Sequence, residues 1–212
     1  MKTSVLLAAA SVVALCAGGA AAGGQPNASV SAKWNGFQMP NGAKILYTQT
    51  SNSNGEAIYS QNSTSNSSGS GDQGADDFVI PKGQVWTVTE VDVTGLWYDG
   101  SGPANSENVV FYKSTGSGEP GNPVKKGAFK GLEGTDSPNF AIKLPGTGLQ
   151  LKAGHYWVSV AANCSFDDCG EYGWAENGVT HEDSAVWRQE GGAWQQIDAD
   201  LMFNLRGTSK GK

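Results

Sequence analysis

The sequence predicts an all-β fold, a single-domain antiparallel β-sandwich of jelly-roll-like type, on three observations. From Phe78 onward, short runs of β-forming residues alternate with clusters of Gly, Pro, Asn and Asp. No window repeats its apolar residues at the helical period. The chain also holds 30 Gly and 7 Trp with only 16% charged residues, a composition suited to an extracellular β protein.

Export is predicted from the N-terminus. Met1-Lys2-Thr3-Ser4 precedes an apolar run over residues 5–16 and the small residues Ala20-Ala21-Ala22, the layout of a secretory signal cleaved near Ala22. A transmembrane anchor is the competing reading, but the run is rich in Ala and Gly and lacks a polybasic stop signal. A lipid anchor on Cys16 is opposed by Leu15, because a small residue normally precedes a lipidated cysteine. The expected product is secreted or periplasmic, with no membrane insertion of the mature chain. Losing Lys2 leaves 13 basic against 20 acidic residues, a net charge of −7 with His neutral. Such a chain lacks the basic patch that nucleic acid or an anionic membrane requires, so neither is expected as a partner. Oligomeric state is not legible.

Residues 23–41, with Pro26 and Pro40, read as a leader in which Trp34 and Phe37 are apolar anchors. The domain is expected over residues 42–207. Lys44-Ile45-Leu46-Tyr47-Thr48-Gln49 and Glu56-Ala57-Ile58-Tyr59-Ser60-Gln61 read as two strands around the turn Ser53-Asn54-Gly55, where Gly tolerates the positive φ of a tight turn. Residues 62–74 read as a flexible polar loop, since positions 62–71 contain only Asn, Ser, Thr and Gly and offer no apolar surface to bury. Beyond the Pro81-Lys82-Gly83 turn, residues 85–96 form the longest run. Trp86 and Val88 lie on one parity and Val91 and Val93 on the other, which predicts a β-bulge near Thr89-Glu90.

Three further strands follow at residues 108–113, 139–144 and 155–162. In the last, Tyr156, Val158 and Val160 face one way and His155, Trp157 and Ser159 the other. The closing strand, residues 198–206, puts Leu201, Phe203 and Leu205 on its buried face. Residues 208–212 read as a short polar tail, through which anchoring is not expected.

The sequence resembles a type of secreted bacterial β-sandwich module found alone or appended to exported proteins, including extracellular proteases and cell-surface proteins. The resemblance is carried by Leu46-Tyr47, Ser60-Gln61, Ala75-Asp76-Asp77-Phe78-Val79-Ile80-Pro81, Trp86-Thr87-Val88, Val110-Phe111-Tyr112, Gly154-His155-Tyr156-Trp157-Val158-Ser159-Val160, Gly173-Trp174, Ala185-Val186-Trp187 and Asp200-Leu201-Met202-Phe203. It implies a jelly-roll-like, non-catalytic module. The chain departs from that pattern at His155, where a small hydroxyl residue is usual, and in its cysteine-bearing loop.

Signal removal takes Cys16 away and leaves Cys164 and Cys169, an even pair expected to form a disulfide in an oxidising compartment. The alternative is a zinc site combining both with His155 and His181, at spacings unlike a compact finger. Asp76 and Asp77 open one strand, and Asp198 and Asp200 the last. If those strands lie side by side, the four carboxylates form a candidate metal site, with calcium the expected cation because it is hard, oxygen-seeking and plentiful outside cells. The competing reading has Asp77 or Asp200 accepting backbone hydrogen bonds at a sheet corner. Asp167-Asp168 with Glu171 form a second acidic cluster.

Tyr172, Trp174, Trp187 and Trp194 gather late in the chain among Gly-rich loops and are the candidate ligand-binding residues. Exposed aromatic rings stack on sugar faces, whereas buried ones pack the core. The functional expectation is thus an extracellular binding module for a polysaccharide or cell-surface glycan. A carboxylate-dependent hydrolase and a purely structural surface protein are the alternatives. Neither a nucleophile and base pair nor a phosphate loop is visible.

Overall fold

A computed structural model describes residues 44–62, 71–189 and 191–211. The predicted signal peptide, the leader and most of the polar loop, residues 63–70, lie outside the described residues. In chain order the strands are β1 (Lys44–Gln49), β2 (Ser53–Tyr59), β3 (Gln61–Asn62), β4 (Asp72–Val93), β5 (Gly95–Tyr98), β6 (Ser106–Ser114), β7 (Pro120–Leu132) and β8 (Gly134–Thr135). They continue with β9 (Phe140–Lys143), β10 (Leu149–Asn163), β11 (Glu171–Asn177), β12 (Val186–Gln189), β13 (Gln195–Gln196), β14 (Asp200–Leu201) and β15 (Phe203–Gly211). A single helical turn, α1 (Phe166–Cys169), sits inside the cysteine loop.

The strands build two antiparallel sheets in an open, sandwich-like arrangement. The larger runs β1-β15-β4-β10-β6-β7, with β9 and β12 also on β4; the smaller runs β14-β11-β2, with β5 also on β11. One short pairing, β3 on β10, is parallel. The 22-residue β4 is the spine because β15, β10, β9 and β12 all pair with it along its length. Phe78, Ile80, Trp86 and Val88 point into the main core, where Phe78 meets Tyr156 at 5.8 Å and Trp86 at 6.2 Å between ring centroids. Tyr172 and Trp174 of the smaller sheet enter the same core. On the other face of the larger sheet, Ala75, Tyr112, Trp157 and Val186 form a second apolar cluster.

Both sheets are tied at one hub. The Thr94 N–H donates to Met202 O at 3.1 Å, the Met202 N–H to Ala175 O at 2.8 Å, and the Ala175 N–H to Thr94 O at 2.9 Å. Thr94 and Met202 lie where the chain passes from one sheet to the other, so a ring of buried backbone bonds fixes both crossings.

The expected bulge is present: Arg206 pairs with Glu90 and Gly207 with Val88, leaving Thr89 as the extra residue. Four readings change. The Pro81-Lys82-Gly83 segment does not end a strand; residues 81–84 bulge out within β4, because Lys152 pairs with Val85 and Gly154 with Ile80. Asn54-Gly55 does not close a hairpin, since β1 pairs with β15 and β2 with β11, in different sheets. Residues 72–74 are strand, not loop, because β12 supplies partners for them. The tail is strand too: Thr208, Ser209, Lys210 and Gly211 pair with Thr87, Trp86, Val85 and Gln84 and cover that edge of β4.

Candidate functional site

Adjacent residues on a strand face opposite ways, so β4 sends Asp76 and Asp77 to different surroundings. Asp76 goes inward. Its Oδ1 accepts the Asp77 N–H at 2.8 Å, and its Oδ2 accepts the Leu201 N–H at 2.6 Å and the Gln49 side-chain amide. Gln49 is oriented in turn by donating to Leu201 O at 2.6 Å and accepting the Tyr47 hydroxyl at 2.6 Å. Burial, with Asp200 nearby, pushes the Asp76 carboxyl well above the usual carboxylate range, against the pull of its backbone donors. Asp200 accepts the His181 N–H at 2.6 Å and His181 Nδ1 at 3.2 Å.

The four-carboxylate calcium site is therefore not assembled. Asp77 faces away, Asp198 is exposed, and Asp76 and Asp200 each accept backbone donors at the junction of the sheets, Asp200 through Oδ2 alone. The backbone bond to Asp200 is the one that the competing reading expected of Asp77 or Asp200; Asp76 makes such bonds as well.

Asp77 instead meets His155, which the sequence marked both as a departure from the pattern and as a ligand of the alternative zinc site. Trp157 lies opposite Asp77 on β10, and His155, two residues earlier, shares its face. His155 Nε2 contacts Asp77 Oδ2, and Asp183 Oδ2, from the loop before β12, lies 3.8 Å from the same nitrogen. The Asp183 N–H also donates to Asp77 Oδ2 at 3.4 Å. The Trp157 ring stacks beside the imidazole at 6.2 Å and 21°. Asp77 is fully buried and its Oδ1 has no partner. Burial raises its pKa to about 6, opposed by His155. Among the described residues, Asp77, His155 and Asp183 are the one group of three or more side chains placed to share a metal ion.

The late aromatic residues divide. Tyr172 and Trp174 are fully buried: Tyr172 packs on Phe140 at 4.7 Å and Trp97 at 5.2 Å, and Trp174 donates Nε1–H to Met202 O at 2.9 Å. Neither ring can stack on a ligand. Trp194 is half-buried between Tyr112, edge-on at 6.0 Å, and the Arg188 guanidinium, 4.0 Å above its ring. Trp187 is different. With Ala57, Ile58, Tyr59, Gln195, Gln196 and Ile197 it lines an open depression of about 330 Å³. Tyr59 is 42% exposed, held edge-on by Tyr98 at 5.7 Å.

Of the lining residues, sequence reasoning named only Trp187 and missed the other six, Tyr59, Gln195 and Gln196 among them. Tyr59 was read within a strand, but β12 and β13 were not, nor was their meeting with β2. Cys164 and Cys169 form the expected disulfide, which leaves neither thiol for a zinc site with His155 and His181. In the loop it closes, Asp167 and Asp168 lie within the helical turn, and Asp168 accepts the Ser165 hydroxyl. Comparison with protein-family models, with characterised proteins and with solved structures finds no match in any of the three.

Proposed function

We propose that this protein is a secreted, non-catalytic binding module that holds a polysaccharide or cell-surface glycan in the depression between Tyr59 and Trp187. The observation that carries the reading is the make-up of that depression: two aromatic rings, an aliphatic floor from Ala57, Ile58 and Ile197, and the carboxamides of Gln195 and Gln196. A sugar ring has an apolar face for the aromatics and hydroxyls that both donate and accept, as a carboxamide does. Among the described residues, those lining it carry no carboxylate, imidazole or thiol, which favours recognition over bond cleavage by an acid, base or nucleophile. Secretion rests on the pattern of residues 1–22 and fits the disulfide and the acidic charge balance.

The test is a glycan and polysaccharide binding screen of the purified protein, run in chelator and again in calcium so that any calcium requirement is read separately. Any hit is then measured with Trp187→Ala and Tyr59→Ala. Each substitution is expected to weaken binding about tenfold or more, the loss of one stacking face. A uniformly negative screen, or affinity that survives both substitutions, would sink the proposal.

A further inference from the structure

We propose that Asp77, His155 and Asp183 form a binding site for one divalent first-row transition-metal ion, Zn²⁺ being the probe of choice. The three side chains come from β4, β10 and the loop before β12, and their ligand atoms all lie within 4.8 Å of one another. Ligands at ~2.0–2.1 Å from a tetrahedral ion stand roughly 3.4 Å apart, close to the 3.8 Å between His155 Nε2 and Asp183 Oδ2. Asp77 Oδ2, in direct contact with that nitrogen, must draw back to admit the ion.

A simple ion pair accounts for less of what is seen. A single Nε2–H is directed at one acceptor, yet two carboxylates, Asp77 and Asp183, converge on that nitrogen. A proton there satisfies Asp77 Oδ2 and leaves Oδ1, on a fully buried side chain, without a partner. Leaving a carboxylate oxygen buried and unpaired is costly, and a cation can engage both oxygens. Charge agrees as well: two carboxylates and a neutral imidazole carry −2, the complement of a divalent ion.

The donor set selects among cations. Calcium takes six to eight oxygens and magnesium keeps its waters, whereas one imidazole nitrogen with two carboxylate oxygens suits zinc and its neighbours in the transition series. The site is also reachable, because the His155 and Asp183 side chains are 29% and 39% exposed while Asp77 anchors it from below. Trp157 backs the imidazole and limits its rotation. Both cysteines are spent on their disulfide and do not compete.

The experiment is calorimetric titration of chelator-treated protein with Zn²⁺, with Co²⁺ absorption as a spectroscopic readout of the coordination sphere. Wild type is expected to take up one equivalent of Zn²⁺ with a Kd at or below about 10 μM, and to ignore Ca²⁺ at about a hundred times that concentration. His155→Gln and Asp183→Asn should each weaken Zn²⁺ at least about thirtyfold, and His181→Gln should leave it within about threefold. Circular dichroism checks each fold; Asp183→Asn, at a half-exposed loop position, decides the matter if His155→Gln unfolds. No Zn²⁺ uptake at about 100 μM, or uptake that Asp183→Asn leaves unchanged, would overturn the site and leave an Asp77–His155 ion pair.

Discussion

Glu107 shows how one buried side chain sets the behaviour of its surroundings. On β6 it shares parity with Val109 and Phe111, both core residues, so its carboxyl follows them inward and is only 2% exposed. The Gly134 backbone supplies one donor, and a side chain at Gly134 would collide with the carboxyl, its Cβ falling 2.7 Å from Oε2. Oε2 itself has no partner. Burial raises the Glu107 pKa to about 7 from an ordinary 4.5, outweighing that backbone donor. The folded state therefore holds this proton more tightly than the unfolded chain does. Stability from Glu107 is complete below about pH 4.5 and is lost as pH rises through about 7, a fall on the order of 3 kcal/mol. Glu107→Gln should remove that part of the slope and stabilise the protein at pH 8. Urea midpoints measured from pH 5 to pH 8 on both proteins test this, and equal slopes would show that Glu107 is not the group responsible. The parity of Glu107 was legible in the sequence, but the strand was read from Asn108 and so stopped one residue short of it.

At the scale of the element, local patterns were more readable than pairings. The bulge at Thr89 was visible as a phase change between Val88 and Val91, because apolar residues must stay on the buried side through an inserted residue. Its partner residue was not visible. Opposite the bulge, Gly207 has φ of +157° and approaches so closely that a Cβ there would stand 1.9 Å from Thr87 O. The Leu144 N–H claims the carbonyl of Thr89 itself, at 2.9 Å, so backbone polar groups around the insertion still find partners. Gly207→Ala should cost about 2–4 kcal/mol, since backbone must move apart to admit one methyl group. Thermal unfolding measures it, and an unchanged midpoint would mean that the strands separate there without penalty. The failed hairpin of β1 and β2 has the complementary cause: an Asn-Gly step states that the chain turns, but which strands then pair is decided by burial far away in sequence. Tyr47, which stacks on Phe203 at 5.3 Å, holds β1 on the larger sheet, while Ile58 packs beside Gly74 and Leu201 on β2's side.

For the whole molecule, architecture was legible and the sites were not, for one physical reason. Alternation, turn residues and composition are local or averaged properties, and they suffice for an all-β sandwich. The Asp77, His155 and Asp183 group and the Tyr59 and Trp187 depression are each made by segments far apart in the chain, and depend on loop courses that no periodicity encodes. The same long-range construction predicts how the protein unfolds. Trp174 and Tyr172 of the smaller sheet lie in one core with Phe78, Phe203 and Val158 of the larger, and the Thr94, Ala175 and Met202 bonds join the sheets at their crossings. If the smaller sheet opens, the larger loses the main core and keeps only the small Ala75, Tyr112, Trp157 and Val186 cluster, so both should melt in one transition. Trp174→Phe tests this from the smaller sheet. It removes the Nε1–H bond to Met202 O and leaves a small cavity beside Phe203, costing about 2–3 kcal/mol. Six of the 7 tryptophans remain, among them Trp86, Trp157 and Trp187 in the larger sheet and Trp97 in the smaller. Their fluorescence and the far-ultraviolet circular dichroism should shift to lower urea together, by the same amount. A variant in which either signal splits into two steps, one of them at the wild-type midpoint, would show that the two sheets unfold separately.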